Sequence, residues 1–217
     1  MLYRVKRERW FFSALILPAA LVVGLLILYP VVNGVYLSFT DASPLHQRAP
    51  KFVGMGNYQY LLEDDVYYAS VFNTSYIVFI SSALAVIMGF MIALLLHFGV
   101  KRFAPLFRAL VFQIWVVPWI CITILWGWMF NKEYGLVNYL MTATGITESN
   151  MDILFDETGA QWVMIVGFTW RSIPFLMVIA LAGLQSISAE IIEASELDGA
   201  RFLNRVGHIV IPMIRNV

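Results

Sequence analysis

Apolar residues run through this chain in long blocks, not in the short alternation of a helix packed on one face in water. Four blocks stand out, at about 10–39, 71–98, 109–130 and 161–184. Each reaches the ~20 residues a helix needs to cross ~30 Å of hydrocarbon, and none is interrupted by polar residues at every turn. The pattern predicts an all-α fold, a polytopic α-helical membrane protein with a single transmembrane domain over 1–217. Beyond the fourth block the pattern changes. Residues 186–206 are polar and carry the acids Glu190, Glu193, Glu196 and Asp198 and a breaker, Gly199. Phe202, Val206, Ile209, Val210 and Met213 then recur at i, i+4, i+7, i+8 and i+11, which predicts an amphipathic helix lying along the membrane edge.

Composition agrees with the pattern. Only 13% of residues are charged and 60% are hydrophobic, against about a quarter charged in soluble proteins. The net charge of +0 conceals a sidedness. Arg4, Lys6, Arg7, Arg9, Lys101, Arg102, Arg108, Arg201, Arg205 and Arg215 lie at the N-terminus, between the second and third blocks, and after the fourth. The loops at about 41–70 and 131–160 hold only Arg48, Lys51 and Lys132 against nine acids. The positive-inside rule therefore places the N-terminus and residues 185–217 in the cytoplasm and the two longer loops outside. The first block is too long for a signal-peptide core and reads as a signal anchor. Cys121 is the only cysteine, so no internal disulfide forms.

Few residues can carry chemistry. Ala189 to Leu197 is a short helix with Ser188 as its N-cap, the hydroxyl expected to accept from a free amide. Gly199 lets the chain turn so that a second helix starts at an angle. An acidic helix and a glycine break are more than a connection between two spans requires, and they suit docking into another protein. Arg171 alone among the charged residues lies deep in a block, where a charge costs ~2.5–3.5 kcal/mol and must face protein or water. Gln113 is its candidate partner. Trp115, Trp119, Thr123 and Trp126 fall on one stripe of the third block, a face able to stack on sugar rings or to pack on a neighbouring helix. Arg171, Trp119, Thr123 and Gln113 are the candidate pathway residues. His97 has no companion ligand, so no metal site is expected. There is no G-x-x-x-x-G-K-[ST] loop and no catalytic triad or carboxylate pair, so the chain is not read as an enzyme.

Glu193, Ala194, Gly199, Ile209 and Pro212 stand at the spacings E-A-A, three residues, G, nine residues, I, two residues, P, with Ser195 at the second alanine. This resembles the cytoplasmic loop of the membrane subunits of binding-protein-dependent ATP-driven importers. Tyr29-Pro30, Leu37 to Asp41, Phe52-Val53-Gly54, Asn57-Tyr58, Phe72-Asn73-Thr74, Leu106 to Leu110, Pro118, Trp126, Tyr134 to Asn138 and Ala182 to Ile187 are similar, in order and spacing, to the sugar-type permeases. The resemblance implies a type I ABC-importer transmembrane domain that moves a sugar, oligosaccharide or glycerol phosphate by alternating access. It implies a second permease, in a heterodimer, two cytoplasmic ATP-binding subunits that hold ATP and magnesium, and an extracytoplasmic solute-binding protein. Glu193, Ala194, Ser195, Asp198, Gly199, Ile209 and Pro212 would form the ATPase-coupling loop in a bacterial or archaeal inner membrane. No cofactor on this chain and no nucleic-acid partner are expected. Family members usually continue through two more spans, so the chain reads as truncated. The alternatives are an ion-coupled carrier, which would normally place an acid within a span, and a non-transporting scaffold.

Overall fold

The computed structural model describes residues 2–43, 45, 49–99 and 103–215, with side chains from Trp10 onward. The side chains of Arg4, Lys6, Arg7 and Arg9, and residues Arg48, Lys101 and Arg102, on which the charge reading leaned, lie outside the described residues. The chain divides into two compact units, Met1–Ser70 and Val71–Val217.

In the first unit, α1 (Leu2–Val23), a π-helical turn (Gly24–Leu28) and α2 (Tyr29–Ser38) form one apolar rod, 0% buried over its most apolar window. The wide turn has a local cause. Pro30 cannot donate a backbone bond, and its ring crowds the carbonyl four residues back; the Tyr29 amide instead reaches the Gly24 carbonyl. After α2 the chain doubles back through a single bridge between Thr40 and Phe52 into α3 (Gly56–Leu62). Asn57 ties the return, its amide nitrogen donating to the carbonyls of Ser38 and Thr40 at 2.8 Å each.

The second unit holds the core. It is entered along α4 (Asp65–Leu94), which continues into a π-helical turn, Leu95–Gly99. Next come α5 (Ala104–Val116), α6 (Trp119–Met129), α7 (Leu136–Ala143) and α8 (Glu157–Gln185). Asp156 caps α8, its side chain accepting from the Gly159 amide at 2.7 Å. α8 buries Ile165, Thr169, Ile173, Met177, Leu181 and Leu184, one stripe at three- and four-residue spacing. α4 answers with small residues four apart, Ser81, Ala85, Gly89 and Ala93, all buried. Small side chains let membrane helices approach closely enough for van der Waals packing to hold them. The approach is close at Gly89, where an added Cβ would stand 3.0 Å from both the Met177 nitrogen and the Leu176 Cβ. About two helical turns along the same contact the Thr169 hydroxyl donates to the Ser81 carbonyl at 3.3 Å.

The third apolar block differs from the expected single span. α5 and α6 meet at 91° across Val117 and Pro118. Val117 is extended (φ −63°, ψ 128°), the conformation that a following proline imposes, and Pro118 contributes no donor to continue α5. Among the described residues three helices, Trp10–Ser38, Asp65–Gly99 and Glu157–Gln185, are long and apolar enough to cross a membrane alone, and the bent pair is either a fourth, broken span or a re-entrant loop.

Between α6 and α8 the loop is organised by Asn138. It is 0% exposed; its amide nitrogen donates to the carbonyls of Asn131 and Met151 at 3.1 Å each, and its carbonyl accepts the Met151 amide at 2.9 Å. Gly135 lies under this clasp, and an added Cβ would meet the Asn131 carbonyl oxygen at 2.3 Å.

Candidate functional site

The polar segment after α8 folds as two helices across a tight turn. α9 (Ala189–Leu197) starts at Ser188, which has extended backbone (ψ 142°) but makes no side-chain cap bond. The expected hydroxyl cap is therefore absent. The Ser188 carbonyl accepts the Ile191 amide instead, at 3.2 Å. α9 ends as the glycine predicts. Gly199 has φ +78°, the Ala200 amide bonds the Ser195 carbonyl at 2.9 Å, and the Gly199 amide bonds the Glu196 carbonyl at 3.0 Å. This pair of bonds around a left-handed glycine closes a helix while satisfying carbonyls that would otherwise be orphaned.

Beyond the turn, α10 (Phe202–Arg205), a π-helical turn (Val206–Val210) and α11 (Ile211–Ile214) run on as one helix. The wide turn again precedes a proline: the Ile211 amide reaches back to Val206 just before Pro212. The widened turn also shifts the buried face. Val206 and Val210 are buried with Arg205, whereas Phe202 and Met213 are each 43% exposed, so the expected stripe is only partly the packed one. Val210 enters a core with Ala93, Leu96, Ala104, Met177, Leu181, Leu184 and Ile187, and Ile192 of α9 packs against it.

α9 thus has two faces. Ile192 packs against the core, and Ser195 on the same side is buried, its hydroxyl donating within the helix to the Ile192 carbonyl at 2.6 Å. Glu190, Glu193, Ala194 and Leu197 project away, and Leu197 is 89% exposed. Asp198 and Pro212 are exposed, and Ile209 is half-buried. Sequence reasoning did not single out Leu197, although a leucine at i+7 on the helix face that carries Glu190 at i, Glu193 at i+3 and Ala194 at i+4 is a legible signal. It also missed the ion pair that ties α9 to α10, Glu196 with Arg205.

A second group surrounds the α5–α6 break. Arg171 is half-buried on α8, with its guanidinium carbon 4.5 Å from the centroid of the Trp119 ring and 6.0 Å from that of Trp115. Trp115 closes α5 and Trp119 opens α6, so one cation faces rings on both sides of the bend. Gln113, the expected partner, is exposed and makes no hydrogen bond to Arg171 among the described residues. The arginine Nε is buried without a partner. Phe175 stacks on Trp115 at 5.7 Å, Phe168 lies 5.0 Å from Trp119, and Trp170 meets Trp126 at 6.0 Å. The stripe expected on one straight helix is therefore split by the break, and both parts face α8. Trp119, Thr123 and Trp126 line a cavity of about 280 Å³ with Met164, Gly167 and Phe168. The Thr123 hydroxyl is engaged by the Trp119 carbonyl at 3.1 Å. No group of three or more His, Cys, Asp or Glu able to hold a metal occurs among the described residues.

Residues 84–217 match the family described as "Binding-protein-dependent transport system inner membrane component". The chain belongs to this family. It is a multi-pass inner-membrane permease, with the matched region running from α4 through the whole α9–α11 segment. Its relatives include the trehalose/maltose transport system permease protein MalF of Thermococcus litoralis, 32% identical over 94% of this chain and 68% of that protein. The inner membrane ABC transporter permease protein YcjO of Escherichia coli is 30% identical over 100% of this chain and 74% of its own length. Among solved structures, a bacterial ABC transporter involved in import of the acidic polysaccharide alginate superposes with a TM-score of 0.81 over 98% of this chain and 71% of the other, at 19% identity. The all-α fold is that of ABC-importer transmembrane domains.

Proposed function

We propose that the chain is the permease subunit of an ATP-driven, solute-binding-protein-dependent importer of a carbohydrate. Family membership supports the importer class, and the substrate class is supported by relatives named for trehalose/maltose, lactose and sn-glycerol-3-phosphate transport. A further neighbour is an alginate transporter bound to a pentasaccharide-loaded periplasmic protein. The observation that carries the coupling role is the free face of α9. Glu190, Glu193, Ala194 and Leu197 are exposed on a short helix whose other face is anchored to the α4–α8 core. An exposed leucine flanked by carboxylates suits a partner cleft that is apolar within and basic at its rim.

In this reading the N-terminus and α9 face the cytoplasm, and two ATP-binding subunits carry ATP and magnesium and receive α9 and its counterpart on a second permease. A solute-binding protein delivers sugar to the opposite side. Closure of the ATPases moves the paired helices together and switches access between the two sides. Arg171, Trp119 and Thr123 line or brace the pathway where the third span breaks, and aromatic faces there suit the C–H surfaces of sugar rings. An ion-coupled carrier finds no support, since none of the chain's acids lies within the helices that can cross a membrane except Asp65 and Glu157, at their first turns.

The test is purification of the assembly from native membranes, with the intact gene product and with residues 193–199 deleted, followed by identification of co-purifying chains. An ATPase and a second permease bound to the intact protein, with the ATPase lost on deletion, is the expected result. Intact protein that retains no ATPase would overturn the coupling role.

A further inference from the structure

Arg205 is the one basic side chain of the 185–215 segment that is buried, with its side chain 10% exposed. It donates through Nη1 to Oε1 of Glu196, which is 57% exposed at the end of α9. Its guanidinium carbon also lies 5.6 Å from the ring centroid of Phe98, in the turn that closes α4, and 6.0 Å from that of Phe202. The two rings meet edge to face at 5.9 Å. One side chain therefore joins three pieces: the end of the docking helix, the helix beyond the turn, and the end of the second span.

The need for such a joint follows from the backbone. Between Glu196 and Arg205 the chain passes through Gly199 at φ +78°, where an added Cβ would meet nothing within 4 Å. Such a turn resists rotation weakly, having no side chain to brace it. α9 is held to the core along one face only, by Ile192, with Ser195 buried on the same side. A displacement imposed at Glu193 and Leu197 would be absorbed by rocking about Gly199 unless the far end of α9 is tied down. Glu196 is the only carboxylate paired with Arg205 among the described residues, and the Arg205 Nε is buried without a hydrogen-bond partner. A buried guanidinium in this setting holds its single counter-charge firmly, because separation would leave it uncompensated.

We propose that Arg205 is a positioning residue for energy coupling: through Glu196 and the Phe98 ring it makes the docking helix and the end of the second span move as one body. Being buried, it acts through the helix it holds and does not touch the ATPase. The inference rests on the importer reading above and adds to it a residue outside the spacing signature.

The experiment uses the complete importer, with its ATPases, second permease and binding protein, reconstituted in proteoliposomes. It compares the wild type with Glu196→Gln, Arg205→Gln, Arg205→Lys and Phe98→Leu. Three quantities are read: ATPase subunits retained, ATP hydrolysed and maltose-class sugar accumulated. Sugar moved per ATP is expected to fall about fivefold or more in Glu196→Gln and Arg205→Gln, the lower range of coupling energies between sites, while the ATPase subunits stay bound. Arg205→Lys, which keeps the charge without the flat stacking plane, is expected between these and the wild type. Glu196 is exposed enough that its substitution preserves folding even if the Arg205 variants do not assemble. An unchanged sugar-to-ATP ratio in Glu196→Gln overturns the inference, as does loss of ATPase binding, which would make the pair a docking contact. A wild type that hydrolyses ATP with no transport of any tested sugar would instead count against the importer reading.

Discussion

The guanidinium of Arg171 lies over the indole of Trp119 at 4.5 Å, so a charge deep in an apolar helix is met by a ring face and not by an acid. Trp115 stands on the other side of the break at Val117 and Pro118, and the same guanidinium faces it at 6.0 Å. A half-buried cation–π contact of this kind is worth about 0.5–2 kcal/mol. Arg171→Met is expected to loosen the bend and lower stability by about that amount, with tryptophan emission shifted to the red. Thermal unfolding of the purified assembly and its emission spectrum check this. Arg171→Lys should recover less than half of the loss, because an ammonium does not stack as a plane.

The contact of α4 with α8 at Gly89 leaves no room for a side chain. Gly89→Val is expected to cost about 1–3 kcal/mol through overpacking, visible as a lower unfolding temperature in detergent. Thr169→Val, which removes only the bond to the Ser81 carbonyl, should cost about 1 kcal/mol. Equal effects of the two would show that the helices do not meet closely at Gly89.

Asn138 satisfies three backbone groups from a fully buried position. Asn138→Leu leaves the Met151 amide and carbonyl unpaired, the Asn131 carbonyl keeping the Gly135 amide at 3.0 Å, and is expected to release the loop, at roughly 1 kcal/mol or more for each unpaired group. Limited proteolysis between residues 131 and 156 should become at least several times faster, with the helical content seen by circular dichroism unchanged.

Gly199 occupies the left-handed region at φ +78°. Gly199→Val is expected to cost about 1–2 kcal/mol there and to misdirect α10, whereas Gly199→Asn, which tolerates that region, should retain most transport. Initial uptake rates of the two variants in the reconstituted importer decide the matter.

Leu197 is 89% exposed, so Leu197→Lys should leave stability within about 0.5 kcal/mol of the wild type. Retention of the ATPase subunit during purification is nevertheless expected to drop, because the leucine is the apolar centre of the free face. Undiminished retention would place the docking surface elsewhere.

Much of the site was legible. Ala189 to Leu197 forms the helix its composition suggests, and Gly199 turns as a residue without Cβ should. The Ser188 cap was not, since an N-cap residue type shows that a hydroxyl can bond and not that its rotamer does. Gln113 misses Arg171 because it lies two residues, about 200° around the helix, from Trp115, the α5 residue that faces α8; Pro118 sets α6 at 91° to α5, and Trp119 lies under the guanidinium. The stripe Ser81, Ala85, Gly89 and Ala93 was readable as small residues four apart, but periodicity alone does not say which helix it meets.

What the chain determines by itself is local. Apolar length makes membrane helices, a proline removes a donor and widens or breaks the turn before it, and a glycine admits a positive φ; each depends on a residue and its immediate neighbours. What only the tertiary structure decided is which surfaces meet: Gly89 against Met177, Arg171 against two tryptophans, and Arg205 against Glu196 and Phe98. Those pairings depend on helix rotation and close packing between segments distant in sequence, and a buried charge takes its partner from whatever that packing brings within reach.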